Sequence, residues 1–408
     1  MSKLRDHKKL FVFGKRFAGF AGMLLILLCA FSCSNLMVND GGSLVIAVPG
    51  ARAATASSFT IELTGSNGAT QNKTVAGGST VQFDDLAPDT YTIAVKGKDV
   101  TGTVVFYGTS TATVVVGKSS SATVELGEVV HDFNSLKNAV TVGGTIFIGS
   151  DIEFTETINI VVNAVNIMAM NDVTLTSSQK MFQIEEGGKL TLASESKALT
   201  LLTTGSVPNI EFNGGELVLE DNVTISGGYN NGCLSFGYSS SKGGTFIMNG
   251  GTIIGNGSGN NRVGIYIDTI GTIIMNGGTI SNFDTGVTLN NNAKFTMTGG
   301  RISDNSSAGA KVGNGTPVFT ISGSAVVDTV SLNSNTTTAI TVGGVLTGST
   351  PVATITISGS YDNRTGETAN PVLTNADGQN FVSTEYQKFA VGDKSYTIDS
   401  SGKLQKAQ

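Results

Sequence analysis

The feature of this sequence that most constrains its fold is a short segment that recurs along the second half of the chain. Residues 244–254 read GTFIMNGGTII, and the pattern returns at 271–281 (GTIIMNGGTIS), at 293–303 (AKFTMTGGRIS) and, more weakly, at 318–326. Each copy combines a short alternating strand, a tight turn and a second short strand, so one copy cannot enclose its own core. The equivalent glycines are 27, 22 and 24 residues apart: Gly250, Gly277, Gly299 and Gly323. The pattern therefore predicts stacked units that share one continuous core.

A period of 22–27 residues built from short strands resembles the right-handed parallel β-helix of the pectin-lyase-like family. The resemblance covers roughly residues 133–373 and implies a parallel β-helix over residues 129–380. At about 4.8 Å between strands, on the order of ten coils would form a rod about 50 Å long. The alternative, an array of β-sandwiches, would require repeats of about 80–100 residues.

Two further features of the repeat region predict how it is held together. The equivalent residues Asn249 and Asn276 are expected to stack as a ladder between coils, with a polar binding strip as the alternative. Open ends of a β-helix are sheet edges that invite aggregation, so both ends should be capped. We expect a short amphipathic cap at His131–Ala139 and a C-terminal cap over residues 381–408.

Residues 44–128 are predicted to form a small β-domain that precedes the repeats. Alternating segments such as Phe59–Leu63 are separated by turns rich in glycine, serine and asparagine. Leu86, Pro88 and Tyr91 match the Leu-x-Pro-x-x-Tyr stretch of prealbumin-like and fibronectin III-like modules, which this segment resembles. That resemblance implies a β-sandwich with a tyrosine corner. Such a module would act either as a spacer above a membrane or as a sugar- or protein-binding unit.

The first 32 residues are predicted to be a signal peptide. Six basic side chains precede a mostly apolar run at 17–31, which is too short for a membrane span of about 20 residues but suits a secretory leader. The following residues, LLCAFSCSN at 27–35, resemble the lipobox of bacterial lipoproteins, although Ala30 and Phe31 depart from its usual Leu and small residue. The resemblance implies lipidation of Cys33 and a tether over residues 33–43. An ordinary signal peptide and an uncleaved anchor are the alternatives.

The charge and cysteine content exclude several classes of function. The chain has 25 Lys and Arg against 31 Asp and Glu, with a net charge of −6 and a pI of about 5.1. This acidic balance gives no general attraction to nucleic acid. If Cys33 carries lipid, the mature chain retains a single thiol, Cys233, so no intramolecular disulfide is expected. We expect Cys233 to lie in the core.

The sequence predicts no catalytic, metal or cofactor site. Hydrolases of the pectin-lyase-like family use clustered aspartates and a Gly-His-Gly segment, whereas the mature chain has one histidine, His131, expected at the surface or in a cap. Three aspartates at intervals shorter than a coil are a poor candidate for calcium or carbohydrate: Asp268, Asp284 and Asp304. The lyases of the family use an arginine or lysine as the base. The mature chain has four arginines: Arg52, Arg262, Arg301 and Arg364.

A binding surface is expected in the longest excursions between strands, at residues 229–242 and 256–263. The candidate binding residues there or nearby are three tyrosines and an arginine: Tyr229, Tyr238, Tyr266 and Arg262. Exposed tyrosines can stack on sugar rings, while packing in the core or a cap is the alternative.

Together these features predict an all-β chain, a small N-terminal β-sandwich followed by a right-handed parallel β-helix of about ten coils. The expected function is that of a surface-exposed lipoprotein of the outer membrane, held to the membrane by its lipid anchor. Its β-helix would be a binding or adhesion scaffold for a host protein or glycan, without catalysis. The alternatives are a polysaccharide lyase or glycoside hydrolase, and a purely structural envelope protein.

Overall fold

The computed structural model describes residues 41–48, 56–161, 164–227, 232–237, 242–255, 262–334, 337–366 and 368–408. These residues belong to one compact unit, Asp40–Gln408. The predicted signal peptide, Cys33 and most of the tether lie outside the described residues. Among the helices that are described, none has the length and apolar character needed to cross a membrane.

The N-terminal domain is a sandwich of two sheets, as the sequence predicts. One sheet has the order β4-β1-β7, and the other begins β3-β2-β5-β6 with antiparallel pairing throughout. Inward-facing apolar side chains of both sheets form its core. The strands are β1 (Gly42–Ala47), β2 (Ser58–Thr64), β3 (Thr70–Val75), β4 (Thr80–Leu86), β5 (Asp89–Lys98), β6 (Val104–Val114) and β7 (Ser119–Thr123).

The segment with Leu86 and Pro88 forms a corner between the two sheets. Strand β4 ends at Leu86 in one sheet, and β5 begins at Asp89 in the other. The hydroxyl of Tyr91, a buried residue, donates a 3.2 Å hydrogen bond to the carbonyl oxygen of Ala87. The tyrosine therefore fastens the corner to the start of its own strand, which confirms the predicted role of this residue.

The sandwich continues directly into the first turn of the repeat region. Strand β8 (Gly127–Val130) pairs antiparallel with β6 and parallel with β9 (Gly144–Ile148), so one sheet runs through both parts. Between them, helix α1 (Phe133–Val142) covers the first turn with its buried apolar face. Asp132 begins this helix by accepting a hydrogen bond from the backbone N–H of Ser135. The predicted N-terminal cap is confirmed.

Side-chain contacts reinforce this junction. The ring of Tyr107 packs edge-on against Phe147 with centroids 4.9 Å apart. The hydroxyl of Thr109 donates to the carboxylate of Glu195, at 2.9 Å to one oxygen. His131, predicted at the surface or in a cap, is half-buried here, with Nε2 3.0 Å from the carbonyl oxygen of Val104.

The repeats form a parallel β-helix in which each turn pairs in parallel with the next. Successive strands follow the chain in order: β10 (Ile152–Glu153), β11 (Ile158–Ile160), β12 (Val165–Ala169), β13 (Val173–Ser177), β14 (Phe182–Glu185), β15 (Lys189–Ala193), β16 (Leu199–Thr203), β17 (Ile210–Asn213), β18 (Glu216–Leu219), β19 (Val223–Gly227), β20 (Leu234–Phe236), β21 (Thr245–Met248), β22 (Thr252–Gly255), β23 (Val263–Ile267), β24 (Ile270–Met275), β25 (Thr279–Ser281), β26 (Thr285–Met297), β27 (Arg301–Ser303), β28 (Ala308–Gly315), β29 (Val318–Gly323), β30 (Val326–Asn333), β31 (Ile340–Leu346), β32 (Ala353–Ser358), β33 (Leu373–Asn375) and β34 (Phe389–Val391).

The β-helix has about eight full turns, slightly fewer than the ten that the sequence predicts. Up to β30 each turn has three sides, and the long strands β26 and β30 each serve two of them. Beyond β30 the described residues add β31 with β32 and then β33 with β34, with no separate third strand among them at these two levels. The number of turns expected from the repeat length is too high because these last residues form connections and the cap.

Alternating side chains fill the interior of the β-helix. Phe246 and Met248 are fully buried while Ile247 between them is half-exposed, as strand alternation requires. Aromatic rings on successive turns stack inside the core, for example Phe212 and Phe236 with centroids 4.0 Å apart. Each turn thus buries its apolar side chains against the next.

The turn after each Met-Asn or Met-Thr pair repeats with the same geometry. The second glycine of each pair has a positive φ: 72° at Gly251, 79° at Gly278 and 80° at Gly300. Residues with a Cβ rarely adopt this conformation. A Cβ on Gly278 would also come within 2.6 Å of the carbonyl oxygen of Gly250. The recurrence of a glycine pair in these repeats therefore reflects both the turn and the close contact of adjacent coils.

The C-terminal segment closes the other end. Helix α2 (Val382–Glu385) and a 3-10 turn at Tyr386–Lys388 lead into β34, which pairs with β32. A hairpin of β35 (Tyr396–Ile398) and β36 (Leu404–Lys406) follows. Buried side chains of this segment join the core of the β-helix: Val382, Phe389, Ile398 and Leu404.

Candidate binding groove

A groove of about 1040 Å³ lies on one face of the β-helix. It crosses strands β23, β26, β28, β30 and β32, which are hydrogen-bonded neighbours on that face. Four strand spacings of about 4.8 Å make it about 19 Å long, parallel to the axis of the stack. Two predicted binding residues, Arg262 and Tyr266, line it. The other two, Tyr229 and Tyr238, lie outside the described residues.

A central row of side chains follows from the strand register. Tyr266 pairs with Thr288, Thr288 with Lys311, and Lys311 with Ser331 on successive strands. These residues occupy the outward position between inward apolar neighbours, such as Ile265 and Ile267 beside Tyr266. Alternation on each strand therefore places one aromatic ring, two hydroxyls and one ammonium group in line.

A second row on one side of the groove consists mainly of amides. The amide of Asn290 donates to the carboxylate of Asp268 at 3.3 Å, and that of Asn333 donates to Asn314 at 3.1 Å. Ser358 ends this row on β32. Each asparagine offers both a donor and an acceptor, so the row can hydrogen-bond either kind of polar group on a ligand.

The opposite side of the groove is formed by residues at the corner of the turns. Asp284 accepts hydrogen bonds from the backbone N–H of Arg262 at 2.9 Å and from the hydroxyl of Ser306 at 2.8 Å. These bonds occupy both of its carboxylate oxygens. Asp284 therefore fastens one turn to the turns on either side of it, which fixes the position where the side chain of Arg262 begins.

The charges in and beside the groove nearly balance, although the whole chain is acidic with a net charge of −6. The lining includes two basic side chains, Arg262 and Lys311, and one carboxylate, Asp284. A second carboxylate, Asp268, lies beside the lining and accepts a hydrogen bond from Asn290. Lys311 is exposed, and it forms no ion pair with a described residue. Burial raises the pKa of Tyr266, and the charge and hydrogen bond of Asp268 raise it further while Asn290 opposes them. The tyrosine is thus a neutral donor at neutral pH.

The three aspartates considered for calcium do not converge. Asp284 accepts hydrogen bonds at the corner of the turns, and Asp268 accepts one from Asn290. Asp304 accepts a 3.0 Å hydrogen bond from the hydroxyl of its neighbour Ser303. Within the described ranges, no group of three or more His, Cys, Asp or Glu side chains is arranged to hold a metal ion. Cys233 is fully buried in the core, as the sequence predicts.

Sequence reasoning missed Lys311 and the amide row. The signal that would reveal them is the register: positions 266, 288 and 311 are separated by 22 and 23 residues, close to one repeat. Extending the repeat from Tyr266 toward the C-terminus places Thr288 and then Lys311 in line with it.

The chain matches no protein-family model, and no curated protein or solved structure matches it. Its function must therefore be argued from the groove and from the sequence.

Proposed function

We propose that this chain is a lipoprotein of the bacterial outer membrane whose β-helix binds a glycan chain at the cell surface without catalysis. The leader with its lipobox-like end supports export and acylation at Cys33. A diacylated or triacylated cysteine would hold the protein firmly at the membrane, since two acyl chains suffice for stable anchoring. No nucleic acid, metal or cofactor has a part in this proposal.

The groove is the observation on which glycan binding rests. Sugars present many hydroxyl groups that both donate and accept hydrogen bonds, and the two rows offer matching hydroxyls and amides over about 19 Å. Tyr266 gives the groove an aromatic face against which the C–H side of a sugar ring can pack. A long, open and mostly polar groove suits an extended chain of sugars better than an apolar peptide or a small hydrophobic molecule.

The same lining favours binding over cleavage. Glycoside hydrolysis generally requires two carboxyl groups on opposite sides of the scissile bond. Asp284 is the one carboxylate among the described lining residues, and both of its oxygens accept hydrogen bonds. Asp268 beside the groove accepts a hydrogen bond from Asn290, so the two carboxylates are held in separate polar contacts. We therefore place the polysaccharide lyase or hydrolase second, and a purely structural envelope role third.

The test is binding of the purified mature chain to a panel of neutral and acidic polysaccharides, measured by affinity electrophoresis and calorimetry. We expect Tyr266→Ala and Lys311→Met to weaken binding at least tenfold. The matched control is Lys294→Met, which removes an exposed lysine from β26 on a different face. Equal binding by wild type and Tyr266→Ala would exclude the groove as the site. Release of reducing ends or unsaturated sugars from a bound polysaccharide would show that the protein is an enzyme.

Location is tested separately by protease treatment of intact cells followed by detection of the β-helix with an antibody. Loss of the signal without cell lysis is expected for a surface protein. Protection of a β-helix that the same protease cleaves after lysis would place it in the periplasm and contradict surface exposure.

A further inference from the structure

A pair of exposed valines lies at the turn between β6 and β7. The turn runs from Val115 to Lys118 and is closed by a 3.1 Å hydrogen bond between the N–H of Lys118 and the carbonyl oxygen of Val115. Gly117, with a φ of 63°, allows this tight reversal. Val115 is 46% exposed and Val116 is 51% exposed. They are the one pair of sequence neighbours among the exposed large hydrophobic residues that the structure describes.

The same turn holds the point at which the chain enters the sandwich. The N–H of Gly117 donates to the carbonyl oxygen of Gly41 at 3.1 Å, and the N–H of Ser43 donates to that of Lys118 at 2.9 Å. The contact is close, since a Cβ on Gly42 would come within 2.5 Å of the carbonyl oxygen of Val115. The first described residues therefore run directly beside the exposed valines.

The distance between this turn and the anchor is limited by the chain. Cys33 precedes Gly41 by eight residues, which span at most about 28 Å when fully extended. Acylation of Cys33 would therefore keep the turn within about 28 Å of the lipid anchor, at a high local concentration relative to the bilayer. An anchored chain has already lost most of its translational freedom relative to the bilayer. Even a weak apolar contact is therefore populated, because its free energy need not offset that entropy loss again.

We propose that the Val115–Val116 turn rests in the interfacial layer of the membrane that carries the Cys33 lipid. This inference rests on the proposed acylation of Cys33. The transfer of apolar side chains out of water is favourable. Two adjacent valines at the tip of a turn can enter the bilayer interface without any movement of the sandwich core. Lys118 follows them and can keep its ammonium group among the lipid headgroups.

The contact is apolar rather than electrostatic. Asp85 also lies beside the point where the chain enters, since a Cβ on Gly41 would come within 2.8 Å of its Cα. Lys118 and Asp85 together give this end of the sandwich no positive excess that would select anionic lipids. Binding of the turn is therefore expected in a purely zwitterionic bilayer and at high salt.

The sandwich provides a matched control at its other end. Val100 is 91% exposed and lies in the turn between β5 and β6. In the antiparallel pair of these strands, Lys98 lies opposite Val104, while Asp89 lies opposite Val114 near the valine turn. Val100 thus has the same residue type and a similar turn position but lies at the opposite end of these strands from the chain entrance.

The experiment uses the full acylated chain in phosphatidylcholine vesicles, with a polarity-sensitive fluorophore attached at Val116→Cys or at Val100→Cys. Cys233 is buried and does not compete for the label in the native protein. We expect the probe at position 116 to shift its emission to shorter wavelength on vesicles and to be quenched by a lipid-borne quencher. The probe at position 100 should do neither.

The outcomes separate the two proposals. If the protein sediments with vesicles and both probes report water, the anchor stands and the valine contact is wrong. If the N-terminal peptide lacks acyl mass and the protein does not sediment, the anchor is wrong and the contact falls with it. A signal at 116 that disappears at high salt would also overturn the apolar contact proposed here.

Discussion

The side-chain amide of Asn276 donates a 3.0 Å hydrogen bond to the side-chain oxygen of Asn249 on the preceding turn. The row extends both ways, because Asn249 donates to the carboxylate of Glu220 at 2.8 Å and Thr298 donates to the oxygen of Asn276 at 2.9 Å. Asn276 thus uses its donor and its acceptor on different neighbours. The predicted asparagine ladder is confirmed, and it joins four successive turns.

Replacing Asn276 by alanine removes two hydrogen bonds from this ladder and leaves two partners without theirs. We expect the free energy of unfolding to fall by about 1–2 kcal/mol, since each exposed or half-exposed hydrogen bond contributes about 0.5–1.5 kcal/mol. Urea unfolding followed by circular dichroism measures the loss. Asn72→Ala on the exposed strand β3 is the control and should change stability by under about 0.5 kcal/mol. Equal effects of the two substitutions would deny the ladder any stabilising role.

Glu385 makes the C-terminal cap sensitive to acid. Burial of this carboxylate acts to raise its pKa, but hydrogen bonds from Lys388 and from the backbone N–H of Leu346, both at 2.8 Å, keep the pKa below its ordinary value. A depressed pKa stabilises the folded state above the ordinary pKa of about 4.3 and ceases to do so as the pH falls through the folded value. The cap should therefore loosen below about pH 4.

The test of this pH dependence is the stability of Glu385→Gln between pH 7 and pH 3. We expect the variant to be less stable than the wild type by about 2 kcal/mol at pH 7, with the difference shrinking as the pH falls below about 4. The control is Glu128→Gln, an exposed residue of β8. A difference that stays constant over the whole range would show that the charge of Glu385 has no part in the effect.

The buried thiol of Cys233 reports on both the fold and the anchor. Burial raises the pKa of this thiol, with a smaller opposing effect from Arg262, and its side chain is fully covered. We expect no reaction of the native protein with an aromatic disulfide reagent, because the thiolate is the reactive form. In denaturant the acylated mature chain should release one thiol equivalent, and a chain that is cleaved before Cys33 but not acylated should release two. An uncleaved chain, which also keeps Cys29, should release three. Rapid reaction before unfolding would contradict the core position of Cys233.

The sequence reveals the repeat more readily than the groove for a physical reason. Inward positions such as Phe246 and Met248 recur because a shared core demands apolar side chains in every turn. Outward positions face no such demand, so Tyr266, Thr288 and Lys311 share a row without sharing a residue type. The spacing also varies where one strand serves two sides, as β26 does, and this blurs which outward residues stack on one another.

The structural role of Arg364 could not be predicted from the sequence. There it is one of four arginines of the mature chain, whereas in the structure it is buried. Its side chain is 1% exposed near the C-terminal end of the β-helix. One terminal nitrogen donates to the carbonyl oxygen of Asn333 at 2.8 Å, and the other donates to those of Thr338 at 2.7 Å and Pro371 at 2.9 Å. The guanidinium therefore joins the stretch with Asn333 and Thr338 to the stretch with Pro371, about thirty residues further along the chain.

Removing this guanidinium should destabilise the C-terminal turns strongly. Arg364→Met leaves three carbonyl oxygens unsatisfied in a buried site, and we expect a loss of about 3 kcal/mol or more in a thermal or urea unfolding experiment. Arg364→Lys should lose less, because an ammonium group keeps the charge but cannot reach all three oxygens in the same planar arrangement. Burial lowers the pKa of Arg364, yet an arginine remains charged at every pH at which the fold is stable.

The control is Arg301→Met, which changes an exposed arginine of β27 and should leave stability within about 0.5 kcal/mol. Similar unfolding midpoints for the Arg364 and Arg301 variants would show that the three hydrogen bonds do not stabilise this end.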